Sequence, residues 1–392
     1  MQGSFKYILV IILLLFTIRT AMHNSSLKEN FKKDKIEFIE TQSLDNIVIN
    51  SKDYNYKLLK KNSYTEQEVY ASFESLASKN LKFNNKTSHK LHNTKSDYSL
   101  KENNDPVYFR IVFDNDIFNN TDYYYTNGVR LEFVSPFLDI ISIGRILPSL
   151  NNPSIEYSGI SLVQNIYTPV NPDTKVINST DRPFSAYLVI GLFHESINVN
   201  KGVKLFSELS VGVIGPASFG GKVQSSIHDI EPIGWENQIN NDFYLNYKIS
   251  VNKLIFAENN FELSAIANAN IGTVYNKFGA GINMRFGKFS RFIENPLLKP
   301  DANTSDFSYW IFTRAKGNIV AYDATLQGGL FNKTNPYTVD KTMINNFVLE
   351  ASAGIAIYYK SIGIELENFY LSPEFKGAYD FRYGRVNLII GF

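Results

Sequence analysis

Cysteine is absent from all 392 residues. Structural disulfides, thiolate metal sites and cysteine nucleophiles are therefore excluded. Charge of neither sign dominates: 39 Lys and Arg stand against 38 Asp and Glu, a formal net charge of +1. Nothing in that balance points to a nucleic-acid partner. Beyond the N-terminus no stretch is long and apolar enough to read as a transmembrane helix. The chain also lacks the HExxH zinc helix, the GxSxG elbow, the Walker A loop and the dinucleotide fingerprint. Tryptophan is scarce, at two residues, yet Phe and Tyr together raise the aromatic share to 14%. Such content suits the aromatic girdles of a membrane barrel, and a Tyr-rich soluble sandwich would share it.

The N-terminus reads as an export signal. Lys6 precedes an unbroken apolar run, Ile8 to Phe16, followed by Thr17, Ile18 and Arg19. The run is too short to span a bilayer as a helix and matches the apolar core of a secretory signal. We assign residues 1–22 to it, with Ala21 near the cleavage point and an uncleaved anchor as the alternative. Residues 23–104 are rich in Asn, Lys and Ser with almost no Gly or Pro. That composition predicts a solvated, disordered extension, with one short amphipathic helix possible over Thr65 to Leu81. His23, His89 and His92 fall there without a carboxylate cluster, and no metal role is expected of them.

From residue 105 to 392 the texture changes. Short alternating segments recur between Gly, Asn, Pro and Asp, among them Ser185 to Phe193, Lys204 to Ile214, Phe243 to Val251 and Val348 to Tyr358. Period-two alternation is the strand signature. The last segment places Gly384, Val386, Leu388, Ile390 and Phe392 on one face, and Tyr383, Arg385, Asn387, Ile389 and Gly391 on the other. An apolar outer face with Arg and Asn behind it suits a strand between lipid and a polar lumen. In hydrocarbon a sheet keeps no open edge, so it closes. The expectation is an all-β chain: a closed antiparallel outer-membrane β-barrel over 105–392, behind a polar extension. A secreted β-sandwich is the runner-up.

Three constellations stand out. Phe109 to Pro136 reads as a hairpin, with Phe109, Ile111 and Phe113 opposed to Val129, Leu131 and Phe133. Between its strands lie Asn115, Asp116, Asn119, Asn120, Thr121, Asp122, Thr126 and Asn127, oxygen donors that either bind a hard cation or simply form the turn. Gln164 to Pro183 is a Pro/Asn/Thr-rich loop ending in the pair Asp181-Arg182. Gly212 to Gln238 is an irregular, Gly-broken insertion that carries Gln224 and His228 one helical turn apart, with Trp235 following. Loops on a rigid scaffold are where sites concentrate, which favours His228 over His194, a residue at a strand end without such company. Ser225 and Ser226 sit too close in sequence to His228 to pair with it on a helical turn. A His with acids, Asn and Thr from a separate hairpin better suits water activation, with a cation at the oxyanion.

These blocks resemble those of the LpxR-type outer-membrane lipid A 3′-O-deacylases. Asn115-Asp116, Thr121 to Gly128, Gln164 to Pro169, Asp181 to Ala186, Gly212 to Pro216, Gln224, His228, Gly234-Trp235, Gln238 and Asp323 to Gly328 follow the family's order. The resemblance implies a 12-stranded barrel in the outer membrane of a Gram-negative bacterium, with its site between barrel wall and outer-leaflet lipid. It implies calcium-dependent hydrolysis of the 3′-linked acyloxyacyl chain of lipid A in lipopolysaccharide. Under it His228 is the base, and Asn115, Asp116 and Thr126 are the hairpin site residues, with Gln224 beside the base. Lys175 is the nearest counterpart of a family lysine, Asp116 and Glu231 are the metal ligands, and the segment from His228 to Trp235 is shorter than the family's. A barrel of this family that has lost its activity and a porin-like channel are the alternatives.

Overall fold

Alternating residues commit each segment to a strand with one face toward lipid and one toward the interior, and the chain builds twelve such strands among the described residues. The computed structural model describes residues 106–116, 123–140, 147–172, 178, 180–227, 233–292 and 307–392. The signal segment, the extension with His23, His89 and His92, and Thr65 to Leu81 lie outside the described residues. The strands are β1 (Tyr108–Asn115), β2 (Tyr124–Val134), β3 (Ile155–Thr168), β4 (Ser185–Asn198), β5 (Val203–Ile214) and β6 (Asp242–Glu258). They continue as β7 (Phe261–Gly272), β8 (Tyr275–Lys288), β9 (Phe307–Asp323), β10 (Phe347–Tyr359), β11 (Ile362–Leu371) and β12 (Phe381–Gly391). Each pairs antiparallel with its sequence neighbour. The expected closure is found where β1 meets β12, in register from Tyr108↔Gly391 to Asn115↔Gly384. Three short α-helices accompany the barrel among the described residues: α1 (Pro136–Ile140), α2 (Gly220–Ile227) and α3 (Ala324–Gln327).

The outward rows are apolar and exposed, as with Leu162, Ile190, Val211, Phe243, Ile282 and Ile311. The inward rows are polar and paired. Arg385 holds Asp114 at 2.7 Å, Arg130 reaches Glu208 at 2.8 Å, Arg314 reaches Glu367 at 2.9 Å and Lys316 reaches Glu350 at 3.0 Å. Charges taken from water require such partners.

Much of the aromatic content sits inside rather than in a girdle. At the end where β1 begins and β12 finishes, Tyr108, Tyr157, Phe193, Trp310 and Tyr358 form one buried cluster, with Trp310 stacked on Tyr358 at 5.2 Å between centroids. At the opposite end, Tyr124, Tyr125, Phe369, Phe375 and Tyr383 form another, with Phe369 stacked on Tyr383 at 4.6 Å. Aromatic rings therefore close the interior above and below the ion pairs.

The segment after β9 caps the second end. Asp323 starts α3 by accepting from Thr325 N at 2.9 Å, an N-cap contact. Farther along, Asp242 at the head of β6 accepts from Phe331 N at 2.7 Å and Asn332 N at 2.9 Å, and Met343 O accepts from Lys376 N at 2.7 Å. The segment is thus pinned to β6 on one side and to the β11–β12 connection on the other. Near the terminal end α1 leans on the outer wall, where Leu138 and Leu147 pack with Phe133, Leu209 and Tyr247. His194, left without a functional role by the sequence, is buried on that wall with Ser158 Oγ 3.0 Å from its Nδ1.

Candidate active site

The rim opposite the start of β1 and the end of β12 carries the hairpin residues. Asn115 ends β1 in register with Asn127, on the row that runs outward through Ile111 and Phe113. Asp116 follows, 3% exposed, and its Oδ2 accepts Tyr123 N at 2.9 Å. The turn-forming role of that carboxylate is thus realised in the hairpin. Beyond it β2 breaks register between Tyr125 and Asn127. A bulge re-aims side chains, and here it separates two neighbours. Tyr125 points inward, where its hydroxyl donates to Asp114 Oδ2 at 2.9 Å, whereas Thr126 Oγ1 meets Thr168 Oγ1 at 2.6 Å.

Thr168 belongs to an outward row of β3 with Gln164 and Ile166. Lipid does not face the upper part of this row, because α2 and its flanking turns cover it. Gln164 Nε2 donates to Ser218 O at 2.6 Å, Ile166 is fully buried, and Phe184, Ala186, Val223 and Trp235 pack around it. Two glycines make the approach possible. Gly215 adopts φ +101° and donates to Ala186 O at 2.8 Å, and a Cβ there would stand 2.6 Å from the backbone of Asn240. A Cβ on Gly220 would stand 2.3 Å from Ala186 Cβ. Helix α2 therefore lies directly on the wall, and its Gln224 is only 4% exposed.

The structure thus brings Thr126, Gln224, Gln164 and Thr168 to the outer wall at one rim, with Asn115 and Asp116 at the adjoining end of β1. Lys175, His228 and Glu231 lie outside the described residues, as do Asn119, Asn120, Thr121 and Asp122; α2 ends at Ile227, immediately before His228. Thr168 stands in the family-like block Gln164 to Pro169, but the sequence assigned it no site role; the signal for one was its place two residues beyond Ile166, on the same strand face.

The pair Asp181-Arg182 has a different role from a local ion pair. Asp181 accepts from backbone, Val170 N at 2.8 Å and Arg182 N at 2.7 Å. Arg182 is 1% exposed, binds Glu374 at 3.0 Å and Thr325 Oγ1 at 2.9 Å, and lies 4.4 Å over the Tyr167 ring. Burial pushes the Glu374 carboxyl above its ordinary range, and Arg182 opposes the shift. This one guanidinium ties three connections of the rim together. Among the described residues no group of three or more His, Cys, Asp or Glu is placed to hold a metal ion.

A family profile described as "Outer membrane protein LpxR" matches residues 86–392. The chain belongs to that family. The LpxR match begins upstream of β1 and includes every strand. Among solved structures, LpxR from Salmonella typhimurium aligns with a TM-score of 0.59 and 23% identity, covering 73% of this chain and 100% of that one. It shares the fold. The β domain of the Bordetella autotransporter Brka aligns with a TM-score of 0.39 and 9% identity, over 73% of this chain and 99% of that one. No curated protein matches the chain. Family and barrel together make this LpxR relative an outer-membrane protein of a Gram-negative bacterium.

Proposed function

We propose that the chain is an outer-membrane ester hydrolase that removes the 3′-linked acyloxyacyl chain of lipid A. The observation carrying this reading is the position of the candidate residues. Thr126 and Gln224 lie on the outer wall, beside the lipid-facing rows, and not in the lumen. A site there meets an outer-leaflet lipid without withdrawing it far from the bilayer.

The reaction adds water across one ester bond. His228, four residues beyond Gln224 in sequence, takes the proton of the attacking water. The ester carbon–oxygen bond breaks, the acyl chain leaves as a carboxylic acid, and the sugar oxygen takes the proton from His228. Asn115, Thr126 and Gln224 orient the ester and the water by hydrogen bonds, and Lys175, the nearest counterpart of a family lysine, supplies a positive charge for the lipid. Oxygen donors suit a hard cation, so Asp116 and Glu231 are the residues that would hold calcium. When bound, calcium supplies positive charge for the developing oxyanion.

A porin-like channel fits poorly, because ion pairs and aromatic clusters fill the interior. A family barrel without activity is the other reading, motivated by the short segment from His228 to Trp235. Mass spectrometry of lipid A from cells expressing the wild-type chain or His228→Ala separates them. The hydrolase reading expects loss of an acyloxyacyl mass with wild type only. An unchanged lipid A profile from a folded, inserted barrel would favour the inactive reading.

A further inference from the structure

Residue Phe219 sits where side chains rarely go. Its backbone adopts φ +61° and ψ +16°, a left-handed conformation that costs free energy in any residue with a Cβ. The surroundings hold it there: Phe219 N donates to Pro216 O at 3.1 Å, and Val223 N donates to Phe219 O at 3.0 Å. The side chain itself stays half exposed, at 50%. An outlier of this kind motivates a functional reading.

Its neighbour supplies the second observation. Lys222, in the first turn of α2, places its ammonium 5.3 Å over the Phe219 ring. Lys222 is exposed and makes no ion pair among the described residues. The location supplies the third. The turn carrying Phe219 is fastened to the outer wall through Gln164 and Ser218. On that wall the outward rows of β3, β4 and β5 present Leu162, Ile190 and Val211 to lipid. The ring therefore stands beside these lipid-facing rows, on the rim side of Leu162, with the Lys222 ammonium over it.

We propose that Phe219 and Lys222 are the lipid-recognition edge of the site and make it selective for an outer-leaflet glycolipid that carries phosphate. The ring lies against the acyl chains next to the ester. The ammonium pairs with a lipid phosphate, and its stem covers the ring as long basic side chains do at interfaces. The inference rests on the lipid hydrolase reading and adds a determinant of which lipid is taken. Neither residue touches the reacting atoms, so both act on substrate binding and not on turnover.

The test uses the full chain in phosphatidylcholine vesicles containing either bis-phosphorylated lipid A or the same lipid A with its phosphates removed, with calcium present. Wild type should show a lower KM for the phosphorylated lipid. Lys222→Met should raise that KM by about tenfold, the loss of one modest ion pair, with kcat unchanged and with no effect on the dephosphorylated lipid. Lys222→Arg should keep the preference, and Phe219→Ala should raise KM for both lipids. Equal KM values for the two lipids with wild type, or a Lys222→Met effect of the same size on both, would overturn the proposal while leaving the hydrolase reading intact. Absence of acyl release from wild type on either lipid would overturn both.

Discussion

Substituting Gly220 by Ala probes whether the seat of α2 on the barrel wall matters to the chemistry. The new methyl would lie 2.3 Å from Ala186 Cβ and 3.2 Å from the Trp235 ring. Carbon atoms in contact stand roughly 3.5–4.0 Å apart, so the shortfall against Ala186 is about 1.2 Å even at the closer limit. Ala186 cannot give way. Its strand is hydrogen-bonded on both sides, to β3 and to β5. Trp235 closes the other side of the glycine. The short helix must therefore lift off the wall by about an ångström, carrying Gln224 and the start of the His228 segment with it. A displacement of that size costs up to about 100-fold in rate. Overpacking itself costs about 1–3 kcal/mol, confined to α2 and too little to open the barrel. The assay is acyl release from lipid A vesicles beside thermal unfolding of the purified chain. Adding Ala186→Gly to Gly220→Ala removes the opposing methyl and should restore most of the rate, at a strand cost of about 0.5–1 kcal/mol. Wild-type turnover by Gly220→Ala alone, or a double variant no faster than the single one, would refute the reasoning.

Thr168→Val removes one hydroxyl of the buried pair that holds Thr126; we expect a stability loss of about 1–3 kcal/mol for the stranded partner, about tenfold slower acyl release, and recovery with Thr168→Ser, measured by thermal melts and initial rates. Arg182→Met leaves Glu374 without its cation, a loss of about 3–5 kcal/mol for a buried pair; hydrogen exchange should accelerate at 324–346 and 372–380 while the strands keep their protection. Conductance across planar bilayers should stay near background, because ion pairs and two aromatic clusters occupy the interior; steady single-channel steps would contradict the filled lumen.

The strands were legible because their chemistry repeats every two residues. In β12 the sequence separates Arg385 and Asn387 from Val386 and Leu388, and the structure turns the first pair inward, to Asp114 and Glu365. Closure followed from the same pattern, since a barrel edge in lipid has no partner but its own other end. Less legible was the use of aromatics. Tyr125, Tyr383 and Trp310 fill the interior, and counting Tyr and Phe cannot tell a girdle from a plug.

Elements outside the repeat were hardest to read. Helix α1 is five residues long, and nothing in PFLDI announces that Leu138 will pack on the outer wall. Asp181 and Arg182 read as partners because they are adjacent, whereas the fold sends Arg182 to Glu374, 192 positions away. For the site, residue types were readable, and their side of the wall came from the family resemblance and not from the alternation itself. The bulge between Tyr125 and Asn127 sends Thr126 to Thr168, and a strict alternation offers no way to foresee a bulge. Gly215 and Gly220 were visible as strand breakers. Their role in letting a helix rest on the wall needed the third dimension.

The most direct test of the account is acyl release by the purified chain in lipid A vesicles, followed with calcium, with chelator, and for His228→Ala with calcium. Release of free acyloxyacyl acid by the wild-type chain with calcium, abolished by chelator and lowered by about 10²–10⁴-fold in His228→Ala, is the predicted result. Undiminished release in chelator or from His228→Ala would contradict the calcium- and histidine-dependent mechanism. No release from a folded chain under any of these conditions would contradict the hydrolase reading itself.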